Sequence, residues 1–231
     1  MFKLVLLSAL ASAYAQDKVN VTLFSESLCP DCQDYMCDMA ACCAASISSD
    51  FTFSPAAPPP PLLDSLNDWW TMFNDAELNA IVNFGQSVWG NARQQGSVIT
   101  CQHGALECKM NTLQNCAIAH ASGNTSQWVP FIHCLETHGT SQEKFVPQCA
   151  SASDYDMAAL NTCWTGQEGK DLDQAARTAT PSDHQYVPWT TVDGVNACDE
   201  TGCSGVVAAV CKAYTGSPKP NACNRKSRVN W

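Results

Sequence analysis

The stretch VNVTLFSESLCPDCQDYM (residues 19–36) decides the fold. Its first six residues are rich in β-branched and aromatic side chains, which predicts a strand. Cys29 and Cys32 follow, separated by two residues. No Gly or Pro occurs between Pro30 and Cys43, and sulfur-bearing side chains recur there at helical spacing. The stretch therefore predicts a strand, a CxxC turn and a helix whose first residue is Pro30.

A CxxC pair has three chemical interpretations: half of a zinc site, a redox couple, or a structural disulfide. Zinc needs further ligands, for which Cys101, His103 and Cys108 are candidates, but free thiolates are disfavoured in a disulfide-rich secreted chain. A structural CxxC disulfide closes too small a loop to constrain much of the chain. Both alternatives stay open, and the redox couple is favoured.

The redox interpretation gives the two cysteines different roles. At a helix N-terminus the sulfur of Cys29 faces unpaired backbone N–H groups, which stabilise the thiolate and make it the attacking nucleophile. Cys32, one turn further on, resolves the mixed disulfide. The carboxylate of Asp31 opposes ionisation of Cys29. Lowering the pKa of Cys29 from about 8.5 to about 4.5 would require about 5 kcal/mol of preferential thiolate stabilisation.

The first residues, MFKLVLLSALASAYA, combine a basic start, an apolar run and a small-x-small end, which predicts a signal peptide over 1–15. No later stretch reaches the roughly 20 apolar residues of a membrane span. Most of the 15 cysteines should then form disulfides. The net charge of −10 argues against a nucleic-acid partner. Asn20 and Asn124 begin glycosylation triplets.

The rest of the chain reads as helices and short strands. We predict one domain over 16–216 and a basic tail over 217–231. Within the domain we predict a Pro-rich loop at about 54–65 and a cysteine-bearing helical insertion at about 105–180. A strand is predicted at 187–195, with an Asp193-Gly194 turn. The last predicted helix covers 204–216 and is capped by Ser204 and Gly216. This order resembles an α/β, thioredoxin-like fold with a helical, cysteine-rich insertion.

The segment CQHGALECKMNTLQNC (101–116) has the pattern CQHG-x2-EC-x2-N-x4-C. With ESLCPDC and HQYVPW (184–189), it resembles the gamma-interferon-inducible lysosomal thiol reductase family over roughly Val19 to Cys223. The residues that match the pattern are Cys101, Gln102, His103, Gly104, Glu107, Cys108, Asn111 and Cys116. The Pro-rich insertion, the basic tail and Cys37, Cys42 and Cys43 depart from the family pattern.

The resemblance implies a lysosomal or secreted enzyme that reduces protein disulfides at acidic pH, with Cys29 and Cys32 catalytic. It implies disulfide-containing protein substrates and a small-thiol or dithiol reductant, and we expect no cofactor or metal. Val187-Pro188 resembles the cis-proline segment that faces a CxxC, so Pro188 would position substrate. The residues of 101–116 would be mainly structural, with His103 a buried, satisfied imidazole.

Two other functions fit the same residues. One is a secreted cysteine-rich binding or structural protein whose CxxC stays oxidised. The other is a disulfide oxidase or isomerase, since the direction of the couple depends on a reduction potential that the sequence does not give. Physiological substrate, oligomeric state and the pairing of the other 13 cysteines are likewise not readable from spacing.

Overall fold

The β-branched run that follows Lys18 forms strand β1 (Val19–Ser25) at the centre of a mixed sheet. The computed structural model describes residues 18–37, 69–198 and 205–224. Within them, a four-stranded sheet has the strand order β2-β1-β5-β6. Its other strands are β2 (Val82–Val88), β5 (Trp189–Val192) and β6 (Val195–Asn196). β2 runs parallel to β1, whereas β5 is antiparallel to β1 and β6 is antiparallel to β5.

Burial along β1 follows the strand period. Val19, Val21 and Leu23 are buried and Asn20 is exposed, and both faces become buried towards the end of the strand at Phe24. The strand is covered on both sides where it delivers the chain to the CxxC turn. β3 (Arg93–Gln95) and β4 (Val98–Thr100) form a separate hairpin.

Two groups of helices surround the sheet. Outside the segment between β4 and β5 lie α1 (Pro30–Met36), α2 (Trp69–Asn74), α3 (Ala76–Ile81) and α9 (Val206–Ala213). Between β4 and β5 lie α4 (Ala105–His120), α5 (Thr125–Glu136), α6 (Gln142–Ala152), α7 (Met157–Thr165) and α8 (Gln167–Ala179). The predicted combination of a sheet with a helical, cysteine-bearing block is confirmed.

Disulfides connect the helices of this block. Cys116–Cys163 joins α4 to α7, and Cys134–Cys149 joins α5 to α6. Met110, Leu113 and Ala117 of α4 are 0 % exposed and belong to the apolar core. The block is therefore held by an apolar core and by covalent cross-links.

Several sequence expectations are corrected. Helix α1 ends at Met36, and Cys37 adopts an extended conformation, so the predicted continuous helix towards Cys43 is interrupted. Within the predicted helical block, no separate helix was predicted over Gln142–Ala152, where α6 lies. Helix α9 is flanked by Gly205 and Tyr214 rather than by the predicted caps.

The C-terminal segment is attached to the body. Cys211 of α9 is bonded to Cys223, and Lys219 donates to the backbone oxygen of Cys211 at 2.8 Å. The packed chain therefore reaches at least to residue 224. The predicted signal peptide, the Pro-rich loop and the basic residues from Arg225 onward lie outside the described residues. None of the described helices is both long enough and apolar enough to cross a bilayer.

Candidate active site

Cys29 and Cys32 lie where β1 passes into α1. Cys29 is the residue before the helix, in extended conformation, and Pro30 is the first helical residue, as predicted. Both cysteines are free thiols, and they are the only free thiols among the described residues. Cys29 is 6 % exposed and Cys32 is 0 % exposed. Solvent therefore reaches Cys29 first, which suits it to attack a substrate disulfide.

The surroundings lower the pKa of Cys29 from 9.0 to about 7. The largest cause is a hydrogen bond donated by the Cys32 side chain, and burial opposes it. Backbone N–H groups of Cys32 and Asp31 lower the pKa further, and the Asp31 carboxylate raises it by the smallest of these effects. Burial raises the pKa of Cys32 well above 9.0. The two thiols thus differ: Cys29 ionises more readily than an ordinary cysteine, whereas Cys32 is buried and protonated.

This pKa is higher than about 4.5, the value at which half of Cys29 would be ionised near pH ~4.5. A lowering from 9.0 to about 7 corresponds to about 3 kcal/mol of thiolate stabilisation rather than about 5. Near pH ~5, roughly 1 % of Cys29 is then ionised, about 100-fold more than at a pKa of 9.0. Asp31 does not prevent activation of Cys29.

The loop before Cys29 is held by helix α4. The backbone N–H of Ser27 donates to Oδ1 of Asn111 at 2.9 Å, and the Ser27 hydroxyl donates to the backbone oxygen of Glu107 at 3.2 Å. From α1, Nε2 of Gln33 donates to the backbone oxygen of Ser27 at 3.2 Å. Asn111 and Glu107 are buried. Two positions of the 101–116 pattern therefore fix the backbone two residues before the nucleophile.

Two buried carboxylates meet one imidazole beside this loop. Glu26 and Glu107 are 0 % exposed, whereas the His103 side chain is 31 % exposed. His103 Nδ1 contacts Glu107 Oε2 and lies 3.8 Å from Glu26 Oε2. The expectation of a buried His103 is therefore wrong. The imidazole lies partly exposed at the protein surface and pairs with carboxylates that are buried beneath it.

The charges of this cluster perturb one another. Burial, then the Glu107 carboxylate, raises the pKa of Glu26 from 4.5 to about 7. Burial lowers the pKa of His103, but the hydrogen bond and charge of Glu107 outweigh burial and raise it above 6.5. The charge of Cys29 also acts on both Glu26 and His103. The cluster is therefore electrostatically linked to the nucleophile.

A third buried carboxyl, that of Glu136, reaches the site from the helical block. Glu136, 1 % exposed, accepts from Nε2 of Gln114 at 2.5 Å and from Nε2 of Gln142 at 3.0 Å. Gln142 also donates to the backbone oxygen of Ser27. Burial raises the pKa of Glu136 well above 4.5. Its charge raises the pKa of Cys32.

The segment before β5 closes the other side of the nucleophile. The Val187–Pro188 peptide bond is cis. Cys29 Sγ lies 3.9 Å from the backbone oxygen of Val187. Nearby, His184 contacts the backbone oxygen of Pro181 through Nδ1 at 2.6 Å and Oδ1 of Asn91 through Nε2 at 3.1 Å. Residues distant in sequence thus surround Cys29.

Comparison with known proteins agrees with this site. The family model described as Gamma interferon inducible lysosomal thiol reductase (GILT) matches residues 64–153. A "Gamma-interferon-responsive lysosomal thiol protein" of Arabidopsis thaliana is 30 % identical over 219 residues, which cover 92 % of this chain and 78 % of that protein. The chain belongs to the gamma-interferon-inducible lysosomal thiol reductase family.

Other GILT relatives match over similar lengths. The "Gamma-interferon-inducible lysosomal thiol reductase" of Carassius auratus is 29 % identical over 225 residues, covering 92 % of this chain and 75 % of that protein. The mouse protein of the same name is 26 % identical over 215 residues, covering 89 % and 72 %. The chain is thus a member of a thiol reductase family.

The remaining residues of the GILT pattern lie around the hairpin and helix α4. Cys101 is bonded to Cys108, so the zinc site considered above, which needs both as thiolates, is excluded. Gln102 accepts from Nδ2 of Asn91 at 2.9 Å. Gly104, with φ 95°, precedes α4 in a conformation that favours glycine. Cys116 forms the disulfide of the helical block.

The cysteines that depart from the family pattern are partly described. Cys37 is disulfide-bonded and buried at the end of α1, and Cys198 after β6 is disulfide-bonded too. Cys42, Cys43 and Cys203 lie outside the described residues. The idea that Cys43 shares a continuous helix face with Cys32 loses its basis, because the helix ends before Cys37.

Both predicted glycosylation sites are exposed. Asn124 lies directly before α5. The amide of Asn20 donates to Oδ1 of Asp193 at 3.1 Å and accepts from Asn83 at 3.2 Å. Glycosylation of Asn20 would have to break the hydrogen bond from its amide nitrogen to Asp193. Asn124 is therefore the more accessible glycosylation acceptor. Both sites remain predictions.

Proposed function

We propose that the protein is a thioredoxin-like thiol-disulfide oxidoreductase that reduces protein disulfides in an acidic compartment, with Cys29 as nucleophile and Cys32 as resolving thiol. The observation that carries the proposal is the asymmetric pair: Cys29 has a lowered pKa and partial access, whereas Cys32 is fully buried and protonated. A purely structural pair would not need this difference.

The topology supports the thioredoxin-like part of the proposal. A CxxC at the start of a helix that follows a strand is typical of thioredoxin-like redox proteins. Here that strand, β1, is paired in parallel with β2 and antiparallel with β5. The block of helices between β4 and β5 is then an insertion into this arrangement.

The reaction follows from the two thiols. The Cys29 thiolate attacks one sulfur of a substrate disulfide, forming a Cys29–substrate mixed disulfide and expelling the other substrate sulfur as a thiolate, which takes up a proton. Cys32 then loses its proton and attacks Cys29 Sγ, which releases the second substrate thiol and leaves a Cys29–Cys32 disulfide. The substrate gains two electrons. A small thiol or dithiol restores the reduced pair.

The pKa of Cys29 supports the reducing direction. Thioredoxin, a reductant, has a CxxC thiol with pKa ≈ 7, whereas the strong oxidant DsbA has one of about 3.5, because a very stable thiolate favours the reduced enzyme. The value of about 7 at Cys29 matches the reductant. An oxidase is accordingly disfavoured.

Substrate is proposed to bind against the segment of Val187 and Pro188. The backbone of Val187 lies next to Cys29 Sγ, and Pro188 is half-buried beside it. An extended substrate strand passing here would place its disulfide at the exposed edge of Cys29. The names of the relatives, which describe lysosomal thiol reductases, support delivery to the lysosome or another secretory compartment.

Reduction of insulin disulfides near pH ~5, with a small thiol as reductant, tests the proposal. Cys29→Ser should abolish turnover above the background of the reductant alone. Equal turnover in wild type and Cys29→Ser would remove Cys29 from the mechanism and favour a binding protein with a permanently oxidised CxxC. Equilibration of the Cys29–Cys32 couple with glutathione then separates a reductase from an oxidase or isomerase.

A further inference from the structure

We propose that Glu26, His103 and Glu107 form a binding site for one borderline divalent cation such as Zn²⁺, beside the redox pair. One ligand atom from each residue lies within 4.8 Å of the other two. Carboxylate oxygen and imidazole nitrogen are both zinc ligands, and three protein ligands with one open position are a common zinc arrangement. The site goes beyond the proposed reductase reaction, which needs no metal.

The strongest observation is an unsatisfied buried oxygen. Glu26 Oε2 is buried and has no hydrogen-bond partner among the described residues. It lies 3.8 Å from His103 Nδ1, close to the ~3.3 Å that separates two ligands of a tetrahedral zinc ion with bonds of about 2.1 Å. A buried polar atom without a partner is costly, so an ion at this position would satisfy it.

Both carboxylates are already oriented as metal ligands. The backbone N–H of Asn91 donates to Glu26 Oε1 at 2.6 Å, and the backbone N–H of His103 donates to Glu107 Oε1 at 3.0 Å. In each residue the second oxygen points to the imidazole. Hydrogen bonds of this kind hold a ligand in position for a metal. The direct contact between His103 and Glu107 would be replaced by bonds to the ion.

The protein closes one side of the site and leaves the other open. The backbone of Gly90 packs directly on the Glu26 side chain, since a Cβ added at Gly90 would lie 2.4 Å from Cγ of Glu26. This packing restricts the Glu26 side chain to its present position. The His103 side chain, 31 % exposed, provides the route from solvent and room for water as a further ligand.

Charge also favours a cation. When both carboxylates are ionised, the cluster carries more negative than positive charge even if His103 is protonated, and a bound cation would balance the excess. The other two groupings of metal-ligand residues found among the described residues contain Cys163, or Cys134 with Cys149. Those sulfurs are in disulfides, so they cannot act as thiolate ligands.

Zinc titration of the full chain tests the site. Cys29 and Cys32 are first replaced by serine, so that their thiols cannot bind the metal, and Zn²⁺ is titrated near pH ~7 by calorimetry and by equilibrium dialysis. We expect one Zn²⁺ per chain, and an affinity at least about tenfold weaker in His103→Gln and in Glu26→Gln.

The matched control is His120→Gln. His120 forms a comparable exposed pair with Glu168 at 3.1 Å, but its third neighbour is a disulfide sulfur, so this change should leave the affinity unaltered. If Glu26→Gln does not fold, the partly exposed His103 still provides the test. Absence of saturable binding, or equal affinity in His103→Gln and His120→Gln, would overturn the proposal. Insulin reduction is measured separately, so either proposal can fail alone.

Discussion

Replacing Cys32 with alanine removes the hydrogen bond that contributes most to the lowered pKa of Cys29. A hydrogen bond to a charged group contributes about 1.5–3 kcal/mol, and about 1.4 kcal/mol corresponds to one pH unit of pKa. The pKa of Cys29 should therefore rise from about 7 to roughly 8–9. Cys32→Ser keeps a donor and should keep the pKa of Cys29 near its wild-type value.

The rate of alkylation of Cys29 by iodoacetamide, followed from pH ~4 to pH ~10, measures this pKa, and mass spectrometry confirms the modified residue. Near pH ~5, Cys32→Ala should react about 10- to 100-fold more slowly than Cys32→Ser. Asp31→Asn should lower the pKa of Cys29 slightly, because the Asp31 charge is a minor opposing effect. Identical profiles for Cys32→Ala and Cys32→Ser would refute the assignment of Cys32 as the main stabilising donor.

Three further changes test the support of the site. Asn111→Leu leaves the buried N–H of Ser27 unpaired and should lower the free energy of unfolding in urea by about 1–3 kcal/mol. Replacing Cys116 and Cys163 together by alanine removes a cross-link that spans 47 residues and should lower it by about 4 kcal/mol. Burial raises the pKa of Glu136, so its protonated form stabilises the fold below pH 4.5. This stabilisation is lost as the pH rises through the raised pKa of Glu136. Glu136→Gln should remove this part of the pH dependence of the free energy of unfolding.

Each of these expectations can fail clearly. A loss below about 0.5 kcal/mol in Asn111→Leu would mean that water replaces the amide at Ser27. An unchanged urea midpoint without the Cys116–Cys163 bond would mean that packing alone holds the block. Parallel pH profiles of wild type and Glu136→Gln would show that Glu136 does not titrate differently in the folded and unfolded states.

The sequence predicted what local patterns control. The β-branched run of β1, Pro30 as first helical residue and the Asp193-Gly194 turn before β6 all depend on neighbouring residues, and the structure shows each of them. The helical insertion was predicted to start at about 105, and α4 begins at Ala105.

Long-range partners could not be read in the same way. His103 was expected to be buried, but its side chain is 31 % exposed and lies near Glu26, a residue far away in sequence in the loop after β1. Glu136 was missed although it carries a readable signal: it follows Trp128 and Ile132 at intervals of four, which places a carboxyl on the apolar face of α5. Helix α6 contains Pro147; a proline inside a helix is normally disfavoured, and it is tolerated here in a packed, disulfide-linked hairpin.

Trapping of the mixed disulfide tests the central claim most directly. The Cys32→Ser variant is incubated near pH ~5 with a disulfide-containing protein, and the products are separated without reductant and mapped by mass spectrometry. A covalent adduct joined through Cys29, released by added thiol and absent in Cys29→Ser, is the expected result. An adduct through another cysteine, or no adduct while wild type still reduces the substrate, would contradict attack by Cys29 and resolution by Cys32.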